Sequence, residues 1–366
     1  MPELFSEFQL KGVTLRNRIA MSPMCQYSAR DGLVGDWHLV HLGSRAVGGA
    51  GLVIAEATAV SAAGRISAAD AGLWSTAHAQ AWAPITGFIA SRGAVPGIQL
   101  AHAGRKGSAR APWDGDDHLA PDDPNAWEII APSAQAFGKK LTRVPRAMTA
   151  GDIARVQGEF AAAAQLALAA GFKWLVVHFA HGHLAQSFFS PLANQRRDRY
   201  GGSFENRARL LLETLAAVRA VWPQSLPLTA RLGVIDYVAG EQPLAESIEL
   251  VRRMHSGGLD LADISAGFNT PDASGVPWKE PAFLAPIAAR IRREVGLPVA
   301  ASWNIGDPTL ADELVRGGQL DLVMIAKALL ADPYWPYRAA KALGRAASHA
   351  TLPVQYGAFL QRSART

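Results

Sequence analysis

Three histidines follow a short apolar run near the middle of the chain. The run 174–177 leads into His178, and His181 and His183 come shortly after it. A short apolar run with β-branched residues that ends in polar side chains is typical of a buried strand that carries those side chains into a site. Grouped imidazoles can donate hydrogen bonds, transfer protons or bind a metal ion. The plainer alternative is a set of loop histidines bonded to solvent or to the backbone.

Short apolar runs alternate with helical patterns along the whole chain. The runs lie at 19–22, 51–56, 95–100, 174–178, 226–232, 259–264, 297–301 and 320–325. The helical patterns lie at 36–47, 79–91, 152–170, 204–221, 243–254, 282–295, 308–315 and 333–343. This alternation predicts an α/β fold, a (β/α)8 TIM barrel. A doubly wound sheet is the main alternative, but no Gly-x-Gly-x-x-Gly follows any of these runs, which weakens it.

We expect a single TIM-barrel domain over residues 1–366. The connection 103–148, after the third predicted strand, is unusually long and rich in proline and charge. Loops of that length in compact domains are usually functional, so we interpret it as a capping insertion on the catalytic rim. The alternative is a flexible insertion without a functional role.

Composition narrows the class of protein. Hydrophobic residues make up 49% of the 366, enough for a full core, and no apolar run is long enough to span a bilayer. No secretory signal is apparent, and a single cysteine, Cys25, excludes an intrachain disulfide framework and fits a reducing compartment. The formal charge of +5 comes with scattered arginines, which argues against nucleic-acid binding. We therefore expect a cytoplasmic protein with a small-molecule substrate and no membrane partner.

The residues at the predicted strand ends are specific. They are Ser22-Pro23-Met24-Cys25-Gln26-Tyr27, Glu56-Ala57-Thr58, Gln99-Leu100-Ala101-His102-Ala103-Gly104-Arg105, the three histidines, the segment 199–207 and Arg231. In this order they resemble the old yellow enzyme family of FMN-dependent ene-reductases. The Pro-Met-Cys-Gln-Tyr segment resembles the xenobiotic-reductase and thermophilic-type branch of that family, and the resemblance covers nearly the whole chain.

The resemblance implies FMN as the cofactor, lying over the barrel mouth, with NADPH or NADH as the reductant. Gln99 matches the amide that bonds the flavin pyrimidine edge, where both a donor and an acceptor are needed. Arg231 matches the cation beside flavin N1 and the C2 oxygen, which stabilises the anionic reduced flavin. Its alternative is a strand-end arginine paired with a loop carboxylate. The other cofactor contacts implied by the family are Ser22, Pro23, Met24, Cys25, Ala57, Ser302, Trp303, Asn304, Ala326 and Lys327.

The same resemblance implies the catalytic residues. His178 and His181 match the pair that hydrogen-bonds the substrate's carbonyl or nitro oxygen, where negative charge develops as hydride adds to the β-carbon. Cys25 matches a cysteine near flavin N5 that tunes the redox potential. Tyr27 matches a hydroxyl on the substrate side, and Trp303 is expected to line the substrate pocket.

Position 183 departs from the family, which usually has a tyrosine there as the proton donor to the α-carbon. We predict that His183, or a water that it orders, takes this role. The alternative is a spectator histidine with solvent as the proton source. The substitution also leaves open isomerisation or desaturation in place of reduction.

Two further departures concern the phosphate and the C-terminus. Ala326 and Lys327 stand where a Gly-Arg pair is usual, which replaces a bidentate fork by a point charge, and Asn304 stands where a glycine is more usual. We therefore expect weaker FMN binding than is typical of the family. The tail 350–366 resembles one that reaches the substrate pocket of a neighbouring subunit, here with Phe359 or Arg362, so we expect a homodimer.

The sequence thus predicts an NAD(P)H-dependent flavin oxidoreductase that reduces activated C=C bonds, as in enones and maleimides, with nitro compounds and quinones as further candidates. Two alternatives stay open. One is a flavin-binding barrel with altered or lost turnover. The other is a metal-dependent barrel hydrolase with His178, His181 and His183 as ligands, although no nearby carboxylate is obvious and we expect no metal.

Overall fold

The computed structural model describes residues 1–363, in which parallel strands close into a barrel surrounded by helices. The elements in chain order are β1 (Phe8–Leu10), β2 (Val13–Leu15), β3 (Ile19–Met21), α1 (Asp36–Val47), β4 (Leu52–Ala59), α2 (Thr76–Ser91), β5 (Val95–Ala101), β6 (Ile130–Ala131), β7 (Arg146–Ala147), α3 (Ala150–Ala169), β8 (Trp174–Phe179), α4 (Leu184–Phe189), α5 (Phe204–Val221), β9 (Leu228–Ile235), α6 (Leu244–Ser256), β10 (Leu261–Ala266), α7 (Ala285–Val295), β11 (Val299–Ala301), α8 (Pro308–Arg316), β12 (Leu322–Ile325), α9 (Lys327–Ala331), α10 (Trp335–Ala342) and α11 (Val354–Ser363).

The barrel follows the chain order. Around the barrel, neighbouring strands pair in parallel in the order β3, β4, β5, β8, β9, β10, β11 and β12, and β12 closes on β3. Helices separate successive barrel strands along the chain, so the predicted (β/α)8 TIM barrel is confirmed and the doubly wound alternative is wrong. All the strand carboxyl ends therefore meet at one mouth.

Local sequence explains why these elements form. Strands covered on both faces must be apolar throughout, and β4 and β8 are buried along their whole length. Some of the helices begin at side-chain caps that satisfy their first N–H groups: Thr149 and Asp152 form a reciprocal capping box at α3, and Ser203 caps α5.

A short hairpin closes the other end of the barrel. β1 and β2 pair antiparallel, and Phe8 and Leu15 from them pack with Leu52 and Trp174 from the barrel interior. This hairpin is not predicted from the sequence, because its strands are only three residues long.

The connection 103–148 follows β5 on the mouth side of the barrel and has its own internal bonds. Arg143 donates from Nη1 to the Ser108 hydroxyl at 2.8 Å and from Nη2 to the Trp127 carbonyl at 3.0 Å. The short strands β6 and β7 pair in parallel within it. The insertion therefore has defined internal contacts, and its role as a cap stays a prediction.

Among residues 1–363, no helix combines the length and the apolar character that crossing a bilayer would require.

The end of α1 packs tightly on the segment before α10. A Cβ added at Gly48 would lie 1.8 Å from the Pro333 carbonyl oxygen, whereas one added at Gly87, within α2, would meet nothing within 4 Å. We predict that Gly48→Ala lowers the free energy of unfolding by about 1–3 kcal/mol because the backbone must shift. Gly87→Ala should instead raise it by about 0.5–1 kcal/mol through helix propensity. Urea unfolding of both variants under identical conditions checks this, and a Gly48→Ala protein as stable as the parent would contradict it.

Candidate functional site

A cavity of about 410 Å³ opens at the mouth of the barrel. Its lining residues come from the carboxyl ends of β3, β8, β9, β11 and β12, and they are Ser22, Pro23, Met24, His181, Arg231, Ser302, Trp303, Asn304, Ile305, Gly306, Met324, Ala326, Lys327, Ala328 and Leu330. Ten residues proposed from the sequence therefore share one cavity wall. Cys25, Tyr27, Ala57, Gln99, His178 and His183 do not line this cavity.

Arg231 is held rigidly at the cavity floor. Its Nη1 donates to the Ser22 hydroxyl at 3.1 Å and its Nη2 to the Ser302 hydroxyl at 2.5 Å. Its Nε lies 3.2 Å from Asp263 Oδ2. A guanidinium has more N–H groups than these partners use, so donors on the two terminal nitrogens remain for a ligand in the cavity. The predicted alternative of a paired arginine is therefore partly correct, since the carboxylate partner lies on a strand and not in a loop.

Gln99 lies on β5, near the carboxyl end of that strand. In register, it stands between Ala57 on β4 and Val176 on β8. Its side chain is 2% exposed, and its Nε2 has no hydrogen-bond partner among residues 1–363. A buried amide without a partner is costly, which points to a polar ligand edge that completes it. Together with the open donors of Arg231, this orphaned amide fits the pyrimidine edge of FMN.

The rim formed by the β11 and β12 ends carries the predicted phosphate contacts. Trp303 and Asn304 both adopt the left-handed backbone region, with φ of 76° and 52°. Asparagine tolerates this region better than most residues, which agrees with the expectation that glycine is more usual there. The Asn304 amide also donates to the carbonyls of Trp278 at 2.6 Å and Glu280 at 3.1 Å. Lys327, the first residue of α9, supplies a cation on the same wall.

The three histidine rings lie together, with the His178 ring in contact with both of the others. The centroid of the His178 ring is 5.0 Å from that of His181 and 4.7 Å from that of His183. His181 lines the cavity, and its Nε2 lies 2.7 Å from the Ser265 hydroxyl. The Nδ1 atoms of His178 and His183 are buried without a hydrogen-bond partner among residues 1–363.

Lys106 fixes the backbone of this histidine loop. Its Nζ donates to the carbonyls of His181 at 2.6 Å and Phe268 at 3.1 Å, and so joins the loops after β8 and β10. His181 has φ of 60°, a strained value for a residue with a side chain, and such conformations persist where neighbouring groups hold them.

The surroundings keep all three imidazoles uncharged. Burial lowers the pKa of His178 and of His181 well below the ordinary value, and neighbouring positive groups add to both shifts. Burial lowers the pKa of His183 to about 3, with Lys106 as the next cause. Each ring is therefore neutral at pH 7 and offers one N–H as a hydrogen-bond donor, but no imidazolium proton.

Cys25 and Tyr27 lie beside the cavity and not on its wall. Burial raises the pKa of the Cys25 thiol well above its ordinary value, and Asp70 and Glu56 add to the rise, so the thiol stays protonated. Tyr27 packs edge-on against Trp113 of the insertion, with ring centroids 5.6 Å apart.

Glu56 positions the backbone at Gln26, directly after Cys25, a role that sequence reasoning missed. A register shift between Ala55 and Ala57 in β4 accompanies a buried Glu56 side chain. Glu56 Oε2 accepts from the Gln26 backbone N–H at 2.9 Å, and Oε1 lies 3.3 Å from His38 Nε2. No sequence pattern predicts this β-bulge. The one available signal is a charged residue, Glu56, at the end of an apolar run.

Ser265 and Asp263 are further site residues that the sequence alone does not indicate. The Ser265 hydroxyl accepts from Trp303 Nε1 at 3.3 Å and contacts His181, so it fixes two cavity residues at once. The signal that could have found Asp263 is a carboxylate within the predicted apolar strand 259–264.

Phe359 lies on α11, away from the cavity. Its side chain is 70% exposed and lines a separate surface groove between α10 and α11. Within one chain it does not reach the cavity, so its predicted substrate contact requires a second copy.

The histidine trio is not arranged as a metal site. Among residues 1–363, no group of three or more His, Cys, Asp or Glu side chains could hold a metal ion. The hydrolase alternative therefore has no support in the geometry.

Comparison with known proteins points the same way. A family model described as NADH:flavin oxidoreductase / NADH oxidase matches residues 3–345. The chain is 44% identical to an NADPH dehydrogenase of a Geobacillus species over 343 residues, covering 93% of this chain and 94% of that protein. It is 41% identical over 355 residues to an NADPH dehydrogenase of Geobacillus thermodenitrificans, covering 96% and 97%.

Two solved structures show the same fold. Morphinone reductase in complex with tetrahydroNAD superposes with a TM-score of 0.78 at 26% identity, covering 93% of this chain and 91% of that one. An old yellow enzyme homologue from Zymomonas mobilis gives a TM-score of 0.78 at 26% identity and covers 93% of both chains.

Proposed function

We propose a reaction for this chain from one premise: the chain belongs to the NADH:flavin oxidoreductase / NADH oxidase family, which includes the old yellow enzymes. It is an NAD(P)H-dependent flavin oxidoreductase, and its cofactor is FMN. The reaction that we propose is the reduction of an activated C=C bond in an enone or maleimide, with nitro compounds and quinones as further acceptors. We place it in the cytoplasm, which the single cysteine favours.

The chemistry that FMN supplies when bound is hydride transfer, which side chains do not perform. Arg231 and Gln99 would hold its pyrimidine edge, and the backbone of 22–24 with Ala57 would line its ring. Lys327 and the rim 302–304 would hold its phosphate. The observation that carries this proposal is the fixed Arg231 guanidinium, whose remaining donors face the same cavity as His181.

The neutral histidines suit an oxygen that becomes negative during the reaction. His181 lines the cavity, and His178 stands directly behind it with an unpartnered ring nitrogen. Uncharged N–H donors that are held in place before the reaction stabilise developing charge without reorganisation. We therefore assign the substrate oxygen to this pair.

We predict that His181→Ala lowers kcat for cyclohexenone reduction roughly 100-fold, the typical cost of one donor of this kind. Reduction of the flavin by NADPH or NADH, measured separately by stopped-flow absorbance, should stay within a few-fold of the parent. His255→Ala, at an exposed position of α6, is the matched control. A colourless protein after incubation with FMN would contradict the cofactor assignment, and unchanged kcat in His181→Ala would contradict the oxygen site.

The same assay distinguishes an active reductase from a flavin-binding barrel that has lost turnover. A protein whose flavin is bleached by NADPH but is not reoxidised by cyclohexenone, maleimide or a quinone has lost turnover. Bleaching followed by reoxidation supports the reductase, and product analysis by gas chromatography detects isomerised or desaturated products.

For the proton, we propose that neutral His183 orders a water that delivers it to the α-carbon. The unpartnered Nδ1 of His183 can hold such a water, whereas its lowered pKa leaves no imidazolium to serve as the acid. We predict that His183→Phe slows reoxidation of the reduced flavin by cyclohexenone at least ~10-fold, below the usual range for general acids because a water intervenes. His183→Tyr should keep or exceed the parent rate. Equal reoxidation rates in the parent and His183→Phe would leave solvent as the proton source.

We propose that two copies of this chain form a homodimer through the exposed apolar face of α1, with the C-terminal tail and Phe359 reaching the neighbouring site. Trp37 and Val40 are 57% and 67% exposed, and Leu330, 44% exposed, lies in the same surface depression. Large exposed apolar side chains grouped in this way mark interaction surfaces.

We predict that Val40→Glu shifts the protein from dimer to monomer in sedimentation equilibrium, because a carboxylate would be buried at the contact. Val144→Glu is the matched control, since Val144 is 64% exposed on the insertion. A parent protein that sediments as a monomer would exclude this interface.

A further inference from the structure

Asp263 is a buried carboxylate in the barrel interior, beside Arg231. The two residues stand directly opposite each other in the register of β10 and β9, and their side chains are 4% and 5% exposed. A small space below Asp263 is lined by apolar side chains together with Thr229; the apolar ones are Leu52, Ile54, Trp174, Val176, Leu261, Leu322 and Met324. Arg231 is the one ion-pair partner that the described residues give to Asp263.

This carboxylate is costly for the fold. Neither of its oxygens has an aligned hydrogen bond among residues 1–363, although Arg231 Nε is 3.2 Å away. Burial raises the pKa of Asp263, and the guanidinium opposes that rise. A buried ion pair is often no more stabilising than apolar residues of similar volume. Packing alone therefore gives little reason for a carboxylate at this position.

Asp263 is also not needed to orient Arg231. The hydroxyls of Ser22 and Ser302 already hold both terminal nitrogens of the guanidinium. What the carboxylate adds is negative charge on the side of Arg231 that faces away from the cavity. The ligand would otherwise face an uncompensated cation.

We propose that Asp263 is a charge-setting residue that offsets the Arg231 cation and thereby holds the FMN reduction potential low. This inference rests on the proposed function, in which the flavin pyrimidine edge lies against Arg231. When the flavin takes up two electrons and one proton, its ring gains one negative charge. A net cation at Arg231 would stabilise that charge, and an ionised Asp263 cancels part of this effect. The reduced flavin is therefore a stronger hydride donor to the alkene.

The test is Asp263→Asn, which removes the charge at nearly constant shape. We expect reduced FMN to bind about tenfold more tightly relative to oxidised FMN, which corresponds to a midpoint potential about 30 mV more positive. Dye-equilibration titration of the holoenzyme measures the potential, and fluorescence titration measures the affinity for oxidised FMN. Flavin reduction by NADPH should become faster and reoxidation by cyclohexenone slower.

Asp260→Asn is the matched control. Asp260 is a buried carboxylate just before β10, paired with Arg219 and Lys11 at the opposite end of the same strand. Its loss should lower stability but leave the midpoint potential unchanged. A potential that stays constant or falls in Asp263→Asn would overturn the proposal.

A second measurement on the parent protein covers the case in which Asp263→Asn does not fold. The reduced-minus-oxidised infrared difference spectrum should show a perturbed ionised carboxylate, and a protonated carboxyl band in its place would overturn the proposal. These outcomes are distinguishable from failure of the proposed function. A chain that binds no FMN refutes the function, whereas bound FMN with an unshifted potential in Asp263→Asn refutes only the role of Asp263.

Discussion

The guanidinium of Arg231 is the interaction on which the rest of the site depends. It is a buried cation on β9 that draws together the end of β3 through Ser22, the end of β11 through Ser302 and the interior of β10 through Asp263. An unpaired buried cation would be expensive, and the two serine hydroxyls that orient the guanidinium offset part of that cost. Because the barrel is closed and its strands are parallel, one side chain can reach partners from distant parts of the chain. The cavity floor is therefore held together by contacts within the protein itself.

The histidine loop depends on a second basic side chain, Lys106, whose pKa burial lowers to about 7. Lys106 holds the carbonyls of His181 and Phe268, and with Arg231 it places positive charge around buried imidazoles. That charge has two consequences. It adds to burial, the larger cause, in lowering the pKa of the rings and keeping them neutral, which suits them to donate hydrogen bonds to an oxygen. It also makes the region attractive to the negative charge that forms on that oxygen. Burial, with Lys106 as the next cause, lowers the pKa of His183 so far that it cannot serve as an imidazolium acid. Replacing a phenol by an imidazole here therefore does not create a more acidic proton donor, despite the lower intrinsic pKa of imidazole.

The sequence predicts the barrel well because each long strand is a recognisable apolar run. The run 174–178 and the observed β8 differ by one residue, since a buried parallel strand must be apolar and ends where its side chains turn polar. Elements of a few residues, such as β1 and α9, carry too little periodicity to be seen. At the site, side chains at strand ends are predictable by type, as for Arg231 and the histidines. Partners such as Asp263 and Glu56 are not, because their roles depend on register and on a bulge that only the closed barrel defines.

The two changed positions on the phosphate rim differ in kind. Asn304 occupies a backbone conformation that glycine prefers, and its amide offsets the strain with two hydrogen bonds to the loop that contains Trp278 and Glu280. Ala326, by contrast, has φ of −109°, so its methyl group meets no left-handed constraint and matters only through the closeness of an approaching anion. The backbone strain at Asn304 is therefore offset by hydrogen bonds within the protein. The changes at Ala326 and Lys327, in contrast, are expected to affect only the affinity for FMN. The expected weakness of FMN binding consequently rests on the β12 end of the rim, while Asn304 couples the β11 end to the loop after β10.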